Sequence, residues 1–267
     1  MLNQIADALP TLFGRQMTLA FRIKRSMTEI DNSFGFRQVS PTERRDRIRR
    51  VFRAVAPRYD LMNDLMSMGI HRQWKALLVR AVGARPGQVI VDLAGGTGDV
   101  ARAMNGADRT VIVCDPSTEM MNAGRRRPGK EGLVWLAGEA EAIPLADNSV
   151  DTLTISFGIR NVTRLDLALA DIHRVLKPGG IAYCLEFSRP HRLIRPFYDL
   201  FSFQVIPRLG ALVAQAPEAY AYLVESIRRF PDQEEFAAMF RAAGFADVRY
   251  RDLSFGIACL HIATKAR

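Results

Sequence analysis

The sequence predicts an α/β fold built on a parallel sheet, and three observations predict it. A β-branched run ending in a carboxylate, Val89-Ile90-Val91-Asp92, passes through the glycine-dense turn Gly95-Gly96-Thr97-Gly98 and opens onto a segment able to start a helix. Strand-like and helix-like stretches then alternate at the pace of helical crossovers between parallel strands. Finally, 267 residues that are 48% hydrophobic and 24% charged suffice for one large α/β domain with a proper core.

Taken in order, residues 1–26 carry Arg15, Arg22, Lys24 and Arg25 against the single acid Asp7 and read as detachable. Two origins fit: sequence upstream of a start at Met27, or an Arg-rich amphipathic targeting peptide, with the scarcity of serine favouring the first. Residues 1–33 are therefore expected to form a poorly ordered extension, and 34–267 the domain. Ser40-Pro41-Thr42-Glu43 opens a helix with Ile48, Val51, Phe52 and Val55 at three- and four-residue spacing. Its arginines, Arg44, Arg45, Arg47, Arg49, Arg50 and Arg53, form either a solvated face or a patch for anionic lipid. The stretch Tyr59–Lys75 packs aromatic, carboxylate, amide, imidazole and indole groups densely. Its methionines 62, 66 and 68 suit gap-filling in a core as well as a cofactor site.

The glycine turn matches neither a G-x-G-x-x-G dinucleotide fingerprint nor a P-loop. An acid before the glycines, Asp92, would repel a pyrophosphate and attract an ammonium. Glycines at 95 and 96 would let a ligand lie against bare amides. The next acid at a strand end, Asp115 after Thr110–Cys114, stands where a carboxylate takes the two hydroxyls of a ribose. Ribose plus a zwitterionic tail points to S-adenosylmethionine.

Further on, strands are expected at 133–137, 150–156 and 181–187, with a helix at 165–176 and the turn Lys177-Pro178-Gly179-Gly180 between the last two. Residues 189–230, aromatic but broken by Pro196, Pro207 and Pro217, suit a helical cover. A helix at 232–243 closed by Gly244, and strands at 247–252 and 257–264, complete the chain. Cys114, Cys184 and Cys259 each sit in an apolar run, as buried thiols of a reducing compartment would, and no Cys/His cluster suggests a metal site. The net charge of +9 favours an acidic partner surface of some kind.

Tyr59–Lys75, Thr154–Thr163, Arg174–Pro190 with its Leu176-Lys177-Pro178-Gly179-Gly180, and Tyr222–Gln233 resemble the ubiquinone/menaquinone biosynthesis C-methyltransferases, a class I S-adenosylmethionine-dependent family. The resemblance runs from about Phe34 to Lys265. It implies a Rossmann-like, seven-stranded, mostly parallel sheet whose last strand is antiparallel. It also implies cofactor contacts at Thr97, Asp115, Glu139, Ala140 and Ser156. The family often carries a polar residue such as Asn where this chain has Glu139, and segments 102–109 and 122–132 are short for it.

The implied reaction transfers a methyl group to a ring carbon of a polyprenylated benzoquinol or naphthoquinol. Such chemistry needs a phenolic proton removed or a phenolate stabilised. His71 has a suitable intrinsic pKa, and the resemblance adds Arg160, in an electrostatic role, with Asn161 positioning it. A tail of isoprene units implies a cytoplasmic protein meeting the inner face of the membrane peripherally, as a homodimer or within a quinone-synthesis assembly. A nucleic-acid methyltransferase is the rival suggested by charge. The sequence lacks the N/D-P-P-[YFW] tetrapeptide and the Cys-Pro pair of such enzymes, so no nucleic-acid partner is expected. A non-catalytic cofactor binder within such an assembly is the other alternative.

Overall fold

The computed structural model describes residues 33–55, 64, 67–129, 131–200, 204 and 217–267. The detachable block 1–26, most of Tyr59–Met66, and residues 201–203 and 205–216 of the expected cover lie outside the described residues.

A ribbon of β1 (Ser33–Phe34) and β2 (Arg37–Gln38) precedes helices α1 (Pro41–Val55) and α2 (His71–Val82). The alternating unit follows: β3 (Val89–Leu93), α3 (Asp99–Met104), β4 (Thr110–Asp115), α4 (Thr118–Arg125), β5 (Leu133–Ala137), β6 (Val150–Ser156), α5 (Leu165–Val175) and β7 (Leu176–Phe187). The chain ends with α6 (Arg195–Leu200), α7 (Pro217–Arg229), α8 (Gln233–Ala242), β8 (Asp247–Leu253) and β9 (Ala258–Thr264).

These strands form a seven-stranded sheet in the order β5-β4-β3-β6-β7-β9-β8. The pairs from β5 through β7 are parallel, and β9 runs antiparallel between β7 and β8. From β3 the chain winds outward through β4 and β5, then returns to β6 on the other side of β3. The order reverses there, so the crevice for a ligand falls beyond the carboxyl ends of β3 and β6. Side chains of each strand alternate between two cores. Ile90, Val111 and Val113 pack on one face with α2, α3 and α7, and Val91, Ile112 and Leu153 on the other with α5 and α8.

The expected strands and helices from β3 onward fall within about one residue of their expected bounds, β7 excepted. The β7 strand starts at Leu176 instead of 181, because Leu176 already pairs with Val150 before the register jumps to Thr152 opposite Ile181. The Lys-Pro-Gly-Gly run is thus an irregularity within the strand, with Gly179 at φ +77° and its N–H bonded to the carbonyl of Lys265 at 3.1 Å. The three cysteines lie buried and unbridged in β4, β7 and β9. Among the described residues no helix is long and apolar enough to cross a membrane.

Candidate active site

A cavity of about 380 Å³ opens at the predicted crevice. Loops after four parallel strands wall it: Leu93, Ala94 and Gly96 after β3, Asp115–Met120 after β4, Glu139–Glu141 after β5, and Phe157, Gly158 and Asn161–Thr163 after β6. The remaining wall is α1, through Arg45, Ile48, Arg49 and Arg53.

Asp115 joins two of these loops. One carboxylate oxygen accepts the N–H of Gly96 at 2.8 Å and the other that of Ser117 at 2.7 Å. Burial pushes its carboxyl up to about 6 against the pull of those two amides. Gly96, at φ +56°, is left-handed, so glycine is what allows its amide to face Asp115. Gly95 answers a different need: a Cβ there would lie 2.8 Å from the carbonyl oxygen of Asp92.

Asp92 itself turns away from the cavity. Its carboxylate accepts Thr154 Oγ1 at 2.8 Å and the amide of Ala101 at 3.2 Å, and burial raises its pKa to about 7. The expected ammonium partner is therefore an internal tie between β3, β6 and the first turn of α3. Thr97 is also on the back of the loop, donating to Asp99 at 3.0 Å and accepting from Arg127 at 3.2 Å. Ser156 closes β6 without lining the cavity. Ala140 and Glu139 do line it, and Glu139 accepts a 2.8 Å bond from Arg49.

The basic helix thus differs from a free lipid patch. Arg45 and Arg49 face Glu139, Arg53 bonds Glu119 at 3.1 Å, and Arg47 bonds Glu43. Arg44 is buried, its guanidinium donating to the carbonyls of Ser33, Val162 and Arg160.

At the β6 end, Phe157 is held at φ +56° and a Cβ on Gly158 would come 2.7 Å from Ala94 Cβ, so the β3 and β6 loops meet crest to crest. Asn161 lines the cavity beside them. Its Oδ1 accepts the hydroxyl of Tyr222 at 3.0 Å, while its buried Nδ2 has no partner. Arg160 does not reach the cavity. Its guanidinium is 3% exposed, donates to Glu186 at 2.6 Å and to the Phe157 carbonyl at 2.8 Å, and lies over the Phe187 ring. Burial raises the Glu186 carboxyl, opposed chiefly by that guanidinium. The Arg160 guanidinium, for which an electrostatic role was expected, braces the carbonyl of Phe157 from beneath.

His71 is not with this group either. It sits in a separate cleft with Arg72, Lys75, Arg80 and Arg127, its Nδ1 3.0 Å from Ser67 Oγ, and burial lowers its pKa. Sequence reasoning missed Tyr222 and Glu141. Glu141 lashes the β5 loop to the β6 loop by accepting the amides of Thr163 at 2.6 Å and Arg164 at 3.0 Å.

The model of the ubiE/COQ5 methyltransferase family matches residues 25–265. The chain belongs to that family. A Rubrivivax gelatinosus protein named ubiquinone/menaquinone biosynthesis C-methyltransferase is 66% identical, the match covering 90% of this chain and 95% of that protein. The mitochondrial 2-methoxy-6-polyprenyl-1,4-benzoquinol methylase of Gallus gallus is 45% identical over 88% of this chain and 89% of its own length. Among solved structures, an S-adenosylmethionine-dependent methyltransferase of Thermotoga maritima shares the fold, with a TM-score of 0.56 at 22% identity over 80% of this chain and 99% of that one. As a member of the family, this chain is an S-adenosylmethionine-dependent C-methyltransferase.

The cavity fits that methyl donor. A buried carboxylate, Asp115, lines it beside the Gly96 backbone, where it would meet a ribose diol, and Asn161, whose Nδ2 has no partner, lines the same cavity.

Two outcomes follow from this geometry. The Asp115 pKa is raised from its unfolded value, so its contribution to stability is full at low pH and lost as pH rises through about 6. The ionised carboxylate is the better acceptor for a diol. Calorimetry should therefore show S-adenosylmethionine binding tighten through pH 6 and level off above it, a step that Asp115→Asn abolishes. Secondly, Arg160→Ala strands a buried Glu186 carboxylate and should cost about 3–5 kcal/mol in denaturant unfolding. Much of that loss should return in the double variant Arg160→Met, Glu186→Leu.

Proposed function

We propose that this C-methyltransferase of quinone biosynthesis acts on a polyprenylated benzoquinol or naphthoquinol, with the ring held at the Asn161 end of the cavity. The observation that supports the reading is Asn161, which lines the same cavity as Asp115 and whose side-chain Nδ2 has no hydrogen-bond partner. The relatives supply the substrate class, since one is named for a benzoquinol and others for both quinone series.

S-adenosylmethionine supplies an electrophilic methyl group whose departure leaves a neutral thioether, and the hydrogen on the methylated ring carbon leaves as a proton. The protein's own part is alignment and charge. Asn161 Nδ2 donates to a quinol oxygen as negative charge grows there, and the Tyr222 hydroxyl holds the amide in the orientation that presents that donor. Arg160, neutralised by Glu186, fixes the carbonyl of Phe157 and keeps the crest in place, which makes it a positioning residue. Phe157 and Ile48 supply apolar walls that exclude water from the ring. The isoprenoid tail runs toward a membrane surface that the protein meets peripherally.

With methyl-labelled S-adenosylmethionine, label should enter a prenylated quinol in a lipid extract. Label in RNA, or none in either quinol, would overturn the reading. Asn161→Ala should lower turnover by roughly a hundredfold, as loss of one donor to a developing oxyanion does. Calorimetric affinity for S-adenosylmethionine should change little.

A further inference from the structure

Two tight turns at the carboxyl edge of the sheet break the usual rule for left-handed backbone. In Leu253–Gly256, joining β8 to β9, Ser254 and Phe255 stand at φ +48° and +57°, and the Gly256 N–H closes on the Leu253 carbonyl at 3.1 Å. In Ser67–Ile70, leading into α2, Met68 and Gly69 stand at +50° and +76°, closed by a 3.0 Å bond from Ile70 N–H to Ser67 O. Such turns favour Asn-Gly. Here each gives a left-handed position to a large apolar residue that packs against little: Phe255 is 75% and Met68 70% exposed. Left-handed backbone at bulky residues costs on the order of 1–3 kcal/mol and clusters at functional sites.

The two turns are held together. Trp74, one helical turn into α2, donates Nε1–H to Ser254 Oγ at 3.0 Å. The Phe255 carbonyl accepts the N–H of His191 at 2.8 Å, which brings Leu193, 77% exposed, to the same edge. The segments that carry these tips also hold Arg72, Arg189, Arg192 and Arg195, all exposed. Arg72 is paired with Asp64 and Arg189 faces Asp232. The platform continues into the cavity wall, since the Trp74 ring packs 6.2 Å from that of Phe157.

We propose that Met68, Leu193 and Phe255 form a three-point wedge that enters the interface of an anionic bilayer, with the arginines of the same segments on the headgroups. Apolar tips on segments that also carry exposed arginines complement a surface with negative headgroups over hydrocarbon, and the net charge of +9 acts in the same direction. The inference rests on the prenyl-quinol reading for its purpose, and on the turns themselves for its geometry.

The test is vesicle sedimentation of the full chain and of the variant Met68→Gly, Leu193→Ser, Phe255→Gly, using phosphatidylcholine vesicles with and without phosphatidylglycerol. The parent should bind the anionic vesicles and the variant should lose roughly tenfold in partition for each side chain removed. Glycine relieves the left-handed strain, so the thermal midpoint of the variant should not fall through those two sites, and turnover of a soluble quinol with one isoprene unit should be kept. Equal partition of parent and variant would overturn the wedge. So would a parent that sediments as a dimer where the variant is a monomer, since the face would then belong to a second copy. If no quinol is methylated yet the partition difference appears, the wedge stands and the substrate reading fails.

Discussion

The carboxylate of Asp115 accepts one N–H from the loop after β3 and one from the loop after its own strand, and the cavity's shape follows from that bridge. A parallel sheet leaves its carboxyl edge as a row of independent loops, each of which could settle differently. A buried acceptor with two lone-pair-bearing oxygens locks two of them at once while still presenting charge to the crevice. The same carboxyl carries a raised pKa, the electrostatic cost of keeping a charge where water is scarce. Structure and function share that cost: the charge that holds the glycine turn is the charge a ribose diol would meet.

The other end of the cavity is built on a second buried polar centre with a different logic. Arg160, Glu186 and Arg44 lie beneath the β6 crest, and their bonds run mainly to backbone carbonyls and amides. Breaking a pair of this kind leaves a stranded charge, so the network resists rearrangement. Its product is a left-handed Phe157 and an Asn161 whose amide oxygen is taken by Tyr222 and whose nitrogen is not. The two centres meet where Gly158 crosses Ala94, which couples the position of the ring site to that of the glycine turn.

Much of the sheet was legible because buried parallel strands read as continuous β-branched runs, and acids at their carboxyl ends stand out against them. Asp115 stands out that way, and it lines the cavity. Asp92, equally visible, was given the wrong face: a side chain at the end of a strand points up or down with a period of two, and Thr154 on the neighbouring strand decides which. Helix α2 was not anticipated, since Ile70 offers no side-chain cap at its start. The ribbon of β1 and β2 is too short to carry a pattern. Arg44 looked like one of six surface arginines, because helical spacing shows which side a residue faces but not the three distant carbonyls waiting there. Tyr222 was counted as apolar cover, and only its hydroxyl's partner reveals its task.

One measurement bears on all of this: a crystal structure of the chain with bound S-adenosylhomocysteine. The ribose hydroxyls should lie within hydrogen-bond distance of Asp115, with the sulfur directed toward Asn161 and the adenine beside Glu139 and Ala140. A nucleoside seated instead in the His71 cleft, or one that leaves Asp115 untouched, would contradict the account.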